Sequence, residues 1–181
     1  MRNHGPWKIT GSKVKYKNKW LKIREDLVTR PDGKPGIFGV VKMAAGASVL
    51  PIDADGNVYL TKEFRYAIGQ NSIEVVSGGI DTGETPLEAA KRELKEELGC
   101  KAGIWTEIGI MNPFTSVVYS PAHLFLANDL SFSETENEGT EIIASLKMPL
   151  TEAVKMVMDS KITHGQSSVL ILKAFIFLNH S

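Results

Sequence analysis

Hydrophobic and polar residues change period along this chain. From Trp7 to Met43 the β-favouring stretches VKYKN, WLKIREDLVT and GIFGVVKM are broken at Asn18-Lys19 and by the turn formers PDGKPG, Pro31 to Gly36. This predicts two or three antiparallel strands. Ala47 to Ile52 and Val58 to Phe64 flank DADGN, so the pattern predicts a second hairpin there. Asp53, Asp55 and Asn57 could open a calcium loop, but Val58 stands where that loop needs glycine and Phe64 where it needs glutamate, so the turn reading is preferred. Ile73 to Val76 reads as a short strand running into Ser77-Gly78-Gly79.

The period then becomes helical. Leu87, Ala90, Leu94 and Leu98 form one apolar stripe. Thr85 suits the N-cap, Pro86 the first helical position, Glu88 the return arm of a capping box, and Gly99 the left-handed stop. Farther on, Ile104 to Met111 and His123 to Ala127 read as strands joined by a loop from Asn112 to Ser120. Ser133 to Glu141 reads as an exposed acidic loop and Glu141 to Met148 as a strand. Thr151 to Asp159 reads as a helix capped by Thr151, and Ser167 to Leu178 as the last helix.

Composition narrows the class. A chain of 181 residues suits a single catalytic domain. The expected division is a β arm over residues 1–45, serving dimerisation as part of the same unit, and a catalytic domain over 46–181. Twenty-one basic and 21 acidic residues cancel, so no global field recruits nucleic acid or an anionic membrane. Cys100 has no internal disulfide partner and MRNHGPWKIT lacks the apolar core of a signal peptide, so a cytoplasmic setting is expected. The apolar run Val169 to Leu178 is interrupted by Lys173 and is far shorter than the ~20 residues that span a bilayer.

The chemistry lies on the helix. Glu93, Glu96 and Glu97 stand at i, i+3 and i+4, which puts their carboxylates on one face within about 6 Å at Cβ. Left to themselves they repel; a hard divalent cation, Mg²⁺ or Mn²⁺, reverses the penalty. Phosphate chemistry is the natural use of such a site. The four histidines, His4, His123, His164 and His180, show no metal-ligand spacing and receive no role.

Gly78, Glu84, Arg92, Glu93, Leu94, Glu96, Glu97, Gly99 and Cys100 resemble the Nudix box place by place, with cysteine at the final aliphatic position. Seven invariant identities would coincide by chance on the order of 10⁻⁸ per starting position. TKEFRY, IEVVSGG, the arm with its PDG turn and TEIIASLKMPLTEAV are similar to the ADP-ribose pyrophosphatase branch of Nudix hydrolases. The resemblance implies an α/β/α sandwich with a mixed sheet and an N-terminal antiparallel β arm, packed in a homodimer. It implies Mg²⁺-dependent hydrolysis of a nucleoside diphosphate sugar, ADP-ribose favoured, to a nucleoside monophosphate and a sugar phosphate. Hydrolysis of nucleoside triphosphates or capped RNA, or a Nudix fold that only senses a nucleotide, are the alternatives.

Roles follow from the same resemblance. Glu93 and Glu97 are the expected metal ligands, with the main-chain carbonyl of Ser77, and Glu96 completes the catalytic cluster. Gly78, Glu84, Arg92 and Gly99 are expected to be structural, Glu84 pairing with Arg92 to tie the loop to the helix. Glu141 is the candidate general base, with Glu138 and Glu136 as rivals. Arg65 is expected on a substrate phosphate, Glu74 on ribose hydroxyls or bracing Arg65, and Trp7 or Trp20 against the base.

Overall fold

The computed structural model describes residues 1–133 and 143–179. The chain opens with β1 (Arg2–His4), β2 (Trp7–Lys17), β3 (Leu21–Thr29) and β4 (Pro35–Met43), joined as successive antiparallel neighbours. Asn18 closes the β2 to β3 connection by accepting from the amides of Trp20 and Leu21 at 2.9 and 2.8 Å. At the next turn Gly33 takes a φ of 81°, a left-handed conformation that favours glycine.

The following segments are β5 (Gly46–Pro51), β6 (Asn57–Arg65), β7 (Gln70–Glu74), β8 (Val76–Gly79), α1 (Pro86–Leu98) and β9 (Cys100–Met111). Then come β10 (Val118–Tyr119), β11 (Ala122–Phe132), β12 (Ala144–Pro149), α2 (Leu150–Met158) and α3 (Gly165–Asn179). Met1–Ala44 with Asn112–Pro121 form one compact unit, in which β10 runs parallel to β4 at the edge of the arm's sheet. The expected loop over Asn112 to Ser120 therefore contains a short strand. Ala45–Met111 and Ala122–Ser181 form the other unit.

That second unit is an α/β/α sandwich. Its central sheet has the order β8-β5-β11-β9 and is mixed: β5 and β11 are parallel, the other neighbours antiparallel. Strand β5 is buried along nearly its whole length, the pattern of a strand covered on both faces. On one side Ala47, Val49, Val76 and Phe125 pack with Ala90, Leu94 and Leu98 of α1. On the other, Leu50, Leu124 and Leu126 meet Leu170, Ile171 and Ala174 of α3. Full burial stabilises each such leucine by about 1.5–3 kcal/mol.

A second, antiparallel sheet has the order β12-β6-β7. The hairpin expected across Asp53 to Asn57 is corrected here: β5 and β6 enter different sheets and share only the bridge Ile52 to Val58. β5 needs cover on both faces, whereas β6 finds antiparallel partners in β7 and β12. The turn itself is held by Asp53, which accepts from the amides of Asp55 and Asn57 at 3.0 and 2.9 Å.

Three boundaries differ from expectation. α2 begins at Leu150 with Pro149 at its N-cap, and no side chain caps it, so Thr151 is not the cap. The pairing of β9 with β11 extends from Cys100 and Phe132 to Met111 and Ala122, longer than either predicted strand, with a register shift at Leu124/Phe125 absorbing an irregularity. α3 begins two residues earlier than expected and spans 15 residues, and no described helix is long and apolar enough to cross a membrane.

Candidate active site

Helix α1 carries the acidic face because its ends are specified locally. Glu88 N–H donates to Thr85 Oγ1 at 3.3 Å and Thr85 N–H donates to Glu88 Oε2 at 2.7 Å, a complete capping box. Gly99 ends the helix at φ 59°, its N–H bonded to the Lys95 carbonyl at 2.9 Å. Ala90, Leu94 and Leu98 face the sheet, so Glu93, Glu96 and Glu97 occupy the remaining surface.

Arg92 ties the preceding loop to this helix. Its Nε and Nη2 donate to the two oxygens of Glu84, each at 3.0 Å, and Nη2 also donates to the Gly79 carbonyl at 2.8 Å. Asp81 N–H donates to Glu84 at 3.1 Å. The fork from Arg92 is the main reason that Glu84 lies below the usual carboxylate range. Nη1 of Arg92 reaches Glu93 at 2.6 Å and Glu96 at 3.1 Å, so one guanidinium binds three of the box glutamates.

Gly78 makes room for Glu93. A β-carbon at position 78 would overlap the Glu93 carboxylate, so only glycine lets that side chain lie against the loop backbone. Glu97 is the electrostatically unfavourable member. Burial, then the charges of Glu93 and Glu63, push its pKa up to about 8, against a hydrogen bond from the Ser77 amide and the nearby Arg65. Ser77 thus meets Glu97 through its N–H. Among the described residues no three acidic, histidine or cysteine side chains converge at metal-holding distance in this arrangement. The donor set nevertheless suits a hard divalent ion: it consists of carboxylates, and at Glu97 burial and the Glu93 charge outweigh Arg65, a balance that a bound cation would reverse.

Arg65 and Glu74 meet across β6 and β7. Arg65 Nε and Nη2 donate to the two carboxylate oxygens of Glu74 at 3.1 and 2.7 Å, and its Nη1 pairs with Glu63. Burial works to raise the Glu74 pKa, but Arg65 chiefly brings it below the usual range. Two neighbours of this pair escaped the sequence reading. Glu63 lies two residues from Arg65 on the same strand face, a period-two relation that could have pointed to it. His164 lies 3.2 Å from Glu74 through Nδ1, across a sequence gap that carries no local signal.

Trp7 lies in the arm's unit, edge to face with Phe38 at 5.8 Å between ring centroids. It lines a cleft of about 730 Å³ in that unit together with Arg24, Asp26, Lys42 and Tyr119. Trp20 is 66 % exposed, with the Lys19 ammonium 4.3 Å from its ring centroid. Glu141, Glu138 and Glu136 lie outside the described residues.

Comparison with known proteins places the chain in a family. A family model for the nucleoside diphosphate sugar hydrolase N-terminal domain matches residues 7–41, and one for the NUDIX domain matches residues 42–169. The chain is 27% identical over 158 residues to the ADP-ribose pyrophosphatase of Bacillus subtilis (strain 168), covering 86% of this chain and 85% of that protein. It is 30% identical over 128 residues to the ADP-sugar pyrophosphatase of Mus musculus, covering 61% of this chain and 59% of that one. A solved structure described as an ADP compounds hydrolase has the same fold, with a TM-score of 0.86 at 19% identity, over 99% of this chain and 98% of that one.

Proposed function

The chain belongs to the Nudix family of hydrolases, and on that premise we propose that it cleaves the pyrophosphate bond of nucleoside diphosphate sugars, with ADP-ribose as the preferred substrate. The products are a nucleoside monophosphate and a sugar phosphate. The observation that carries the reading is that, within one unit, Glu97 feels the charge of both the Glu93 carboxylate and the Arg65 guanidinium. Carboxylates for a cation beside a guanidinium for an anion suit a bridged pyrophosphate better than either group alone. The two named pyrophosphatase relatives support the choice of substrate.

Glu93 and Glu97 would hold the metal, Mg²⁺ with Mn²⁺ as an alternative, with Glu96 completing the cluster and the Ser77 carbonyl as a fourth donor. When bound, the ion makes water acidic enough to attack phosphorus and offsets the charge growing on the pyrophosphate oxygens. Glu97 must give up its proton before it can serve. Gly78 keeps Glu93 against the loop, and the Glu84–Arg92 fork holds that loop on the helix. Arg65 grips a phosphate by two donors while Glu74 fixes the plane of its fork. Glu141 accepts the proton of the attacking water at its carboxylate. The arm packs in a homodimer, and Trp7 offers the ring on which the base stacks. A cytoplasmic location suits the buried free thiol of Cys100.

A phosphatase-coupled release assay tests this with ADP-ribose, GDP-mannose, UDP-glucose, diadenosine polyphosphates and nucleoside triphosphates in Mg²⁺. Monophosphate and sugar phosphate from ADP-ribose are expected. Pyrophosphate from triphosphates, or turnover of capped RNA alone, would replace the proposed substrate class, and binding without turnover would make the protein a sensor. Glu141→Gln should lower turnover with little loss of metal affinity; if Glu138→Gln does this instead, the base is Glu138.

A further inference from the structure

The first turn of α3 reaches into the region behind Arg65. Residues 164–167 read His-Gly-Gln-Ser, and three of these side chains bond to β5, to β7 and to the residue between β7 and β8. Gln166 Oε1 accepts from Ser48 Oγ at 2.8 Å, and Ser48 on β5 stands opposite Ser77 in the ladder with β8. Ser167, fully buried, accepts from the Val75 N–H at 2.9 Å. Val75 is the residue at which the chain leaves β7 in one sheet and enters β8 in the other, so its amide belongs to neither ladder. Without Ser167 that buried donor would need another partner.

His164 completes the set. Its Nδ1 is 2.8 Å from Ser167 Oγ and 3.2 Å from Glu74 Oε2. Glu74 is 3 % exposed and kept ionised by Arg65, so it can only accept. A bare Nδ1 lone pair facing that carboxylate would be repelled, so the proton sits on Nδ1 and is shared between Glu74 and Ser167. Burial pushes the His164 pKa below its ordinary value despite Glu74, while Arg65, the other charge facing it, adds to the lowering. Burial thus favours the neutral ring, and Nδ1 is the nitrogen that donates.

We propose that His164, located by Ser167, is a positioning residue for substrate binding: it fixes the Glu74 carboxylate, and through it the plane of the Arg65 guanidinium. The inference rests on the reading of Arg65 as the substrate-phosphate contact. Glu74 uses both oxygens on Arg65, and a further donor at Oε2, beside the hydrogen bond that Ser72 makes to this carboxylate, resists rotation about its last torsion, which is otherwise broad. His164 supplies that donor from a rigid helix start, whereas Arg65 sits at the end of β6 with 40 % of its side chain exposed.

The full-length protein decides this through two readouts. In ¹H–¹⁵N spectra the Arg65 Nε–H signal, identified by its loss in Arg65→Lys, is expected to be distinct and slowly exchanging. His164→Leu should abolish that protection and raise KM for ADP-ribose about tenfold, roughly the worth of one hydrogen bond to a charged group, while kcat and the Mg²⁺ activation midpoint stay within about twofold. His164→Asn, whose Nδ2 stands near the position of Nδ1, should restore both. A purely structural histidine would lower the melting temperature in both variants and leave KM and the Arg65 signal alone; that result overturns the proposal. If the wild-type protein hydrolyses no member of the nucleotide panel, the substrate reading fails, and the Arg65 signal still decides the positioning role. Should His164→Leu fail to fold, Ser167→Ala takes its place, with the same changes expected in smaller degree and their absence counting against the proposal.

Discussion

Replacing Glu97 by Gln should make the metal-free protein more stable while nearly abolishing its turnover. The folded chain holds the Glu97 carboxyl up to about 8 against an ordinary 4.5, through burial and the charges of Glu93 and Glu63. Between those two values the unfolded chain has released the proton and the folded chain has not. The folded state then binds more protons, so stability falls as pH rises, by about 1.4 kcal/mol per pH unit. At pH 7 the unscreened cost is about 3 kcal/mol, and because the side chain is partly exposed, solvent screening leaves about 1–2 kcal/mol. Gln is the uncharged isostere and can still accept from the Ser77 amide. In EDTA at pH 7 its melting temperature should therefore exceed that of the parent by roughly 2–8 °C. The gap should shrink to nothing below pH 4.5, where both chains carry a neutral group, and widen up to pH 8. Saturating Mg²⁺ should reverse the order, since a ligand at 100-fold excess over its Kd adds about 2.7 kcal/mol to the protein that binds it. Turnover should drop by orders of magnitude. Differential scanning fluorimetry across pH, with EDTA and with Mg²⁺, reads all of this. A Glu97→Gln protein less stable than the parent in EDTA, or a gap that ignores pH, would refute the reasoning.

Other substitutions separate fold from chemistry. Gly78→Ala should fold with little loss, because the added β-carbon meets only the mobile end of Glu93, yet it should weaken metal binding at least tenfold by isothermal titration. Arg92→Lys keeps the charge but not the fork to Glu84 and the Gly79 carbonyl, and should cost about 1–2 kcal/mol in urea unfolding; an unchanged midpoint would show the pair to be ornamental. Sedimentation velocity at micromolar concentration should give a homodimer, and a monomer would remove the proposed role of the arm.

Local signals were the most readable part of this chain. α1 was legible to the residue because Thr85, Pro86, Glu88 and Gly99 each act within one turn of the helix they bound. The mixed α/β class was legible too, since the change of period from two to 3.6 is a property of neighbouring residues. Partner choice was not. Alternation in Val58 to Phe64 fixes which face is buried but not whether β5 or β7 lies beside it, and the hairpin across Asp53 to Asn57 was lost to that ambiguity. The helix after Pro149 lacks a side-chain cap, so the nearest threonine misled. In the candidate site, spacing put Glu93, Glu96 and Glu97 on one helix face, and the resemblance to the Nudix box named the other box residues. Glu63, Ser48, Gln166, Ser167 and His164 take their meaning only from folds of the chain that bring distant segments together. His164 in particular shows neither metal spacing nor a neighbouring acid in sequence.

The parallel pairing of β5 with β11 bears on how the molecule forms. Gly46 lies beside Ala122, and the chain between them contains β6 through β10 and the whole acidic helix. Closing so long a loop comes late and slowly in folding, because its entropy must be lost before the contact rewards it. α1 can form early from its own caps, but Ala90 and Leu94 find Phe125 only when β11 arrives. Changes at the β5–β11 seam should therefore act on refolding rate and on the yield of active protein, leaving the turnover of molecules that do fold almost untouched.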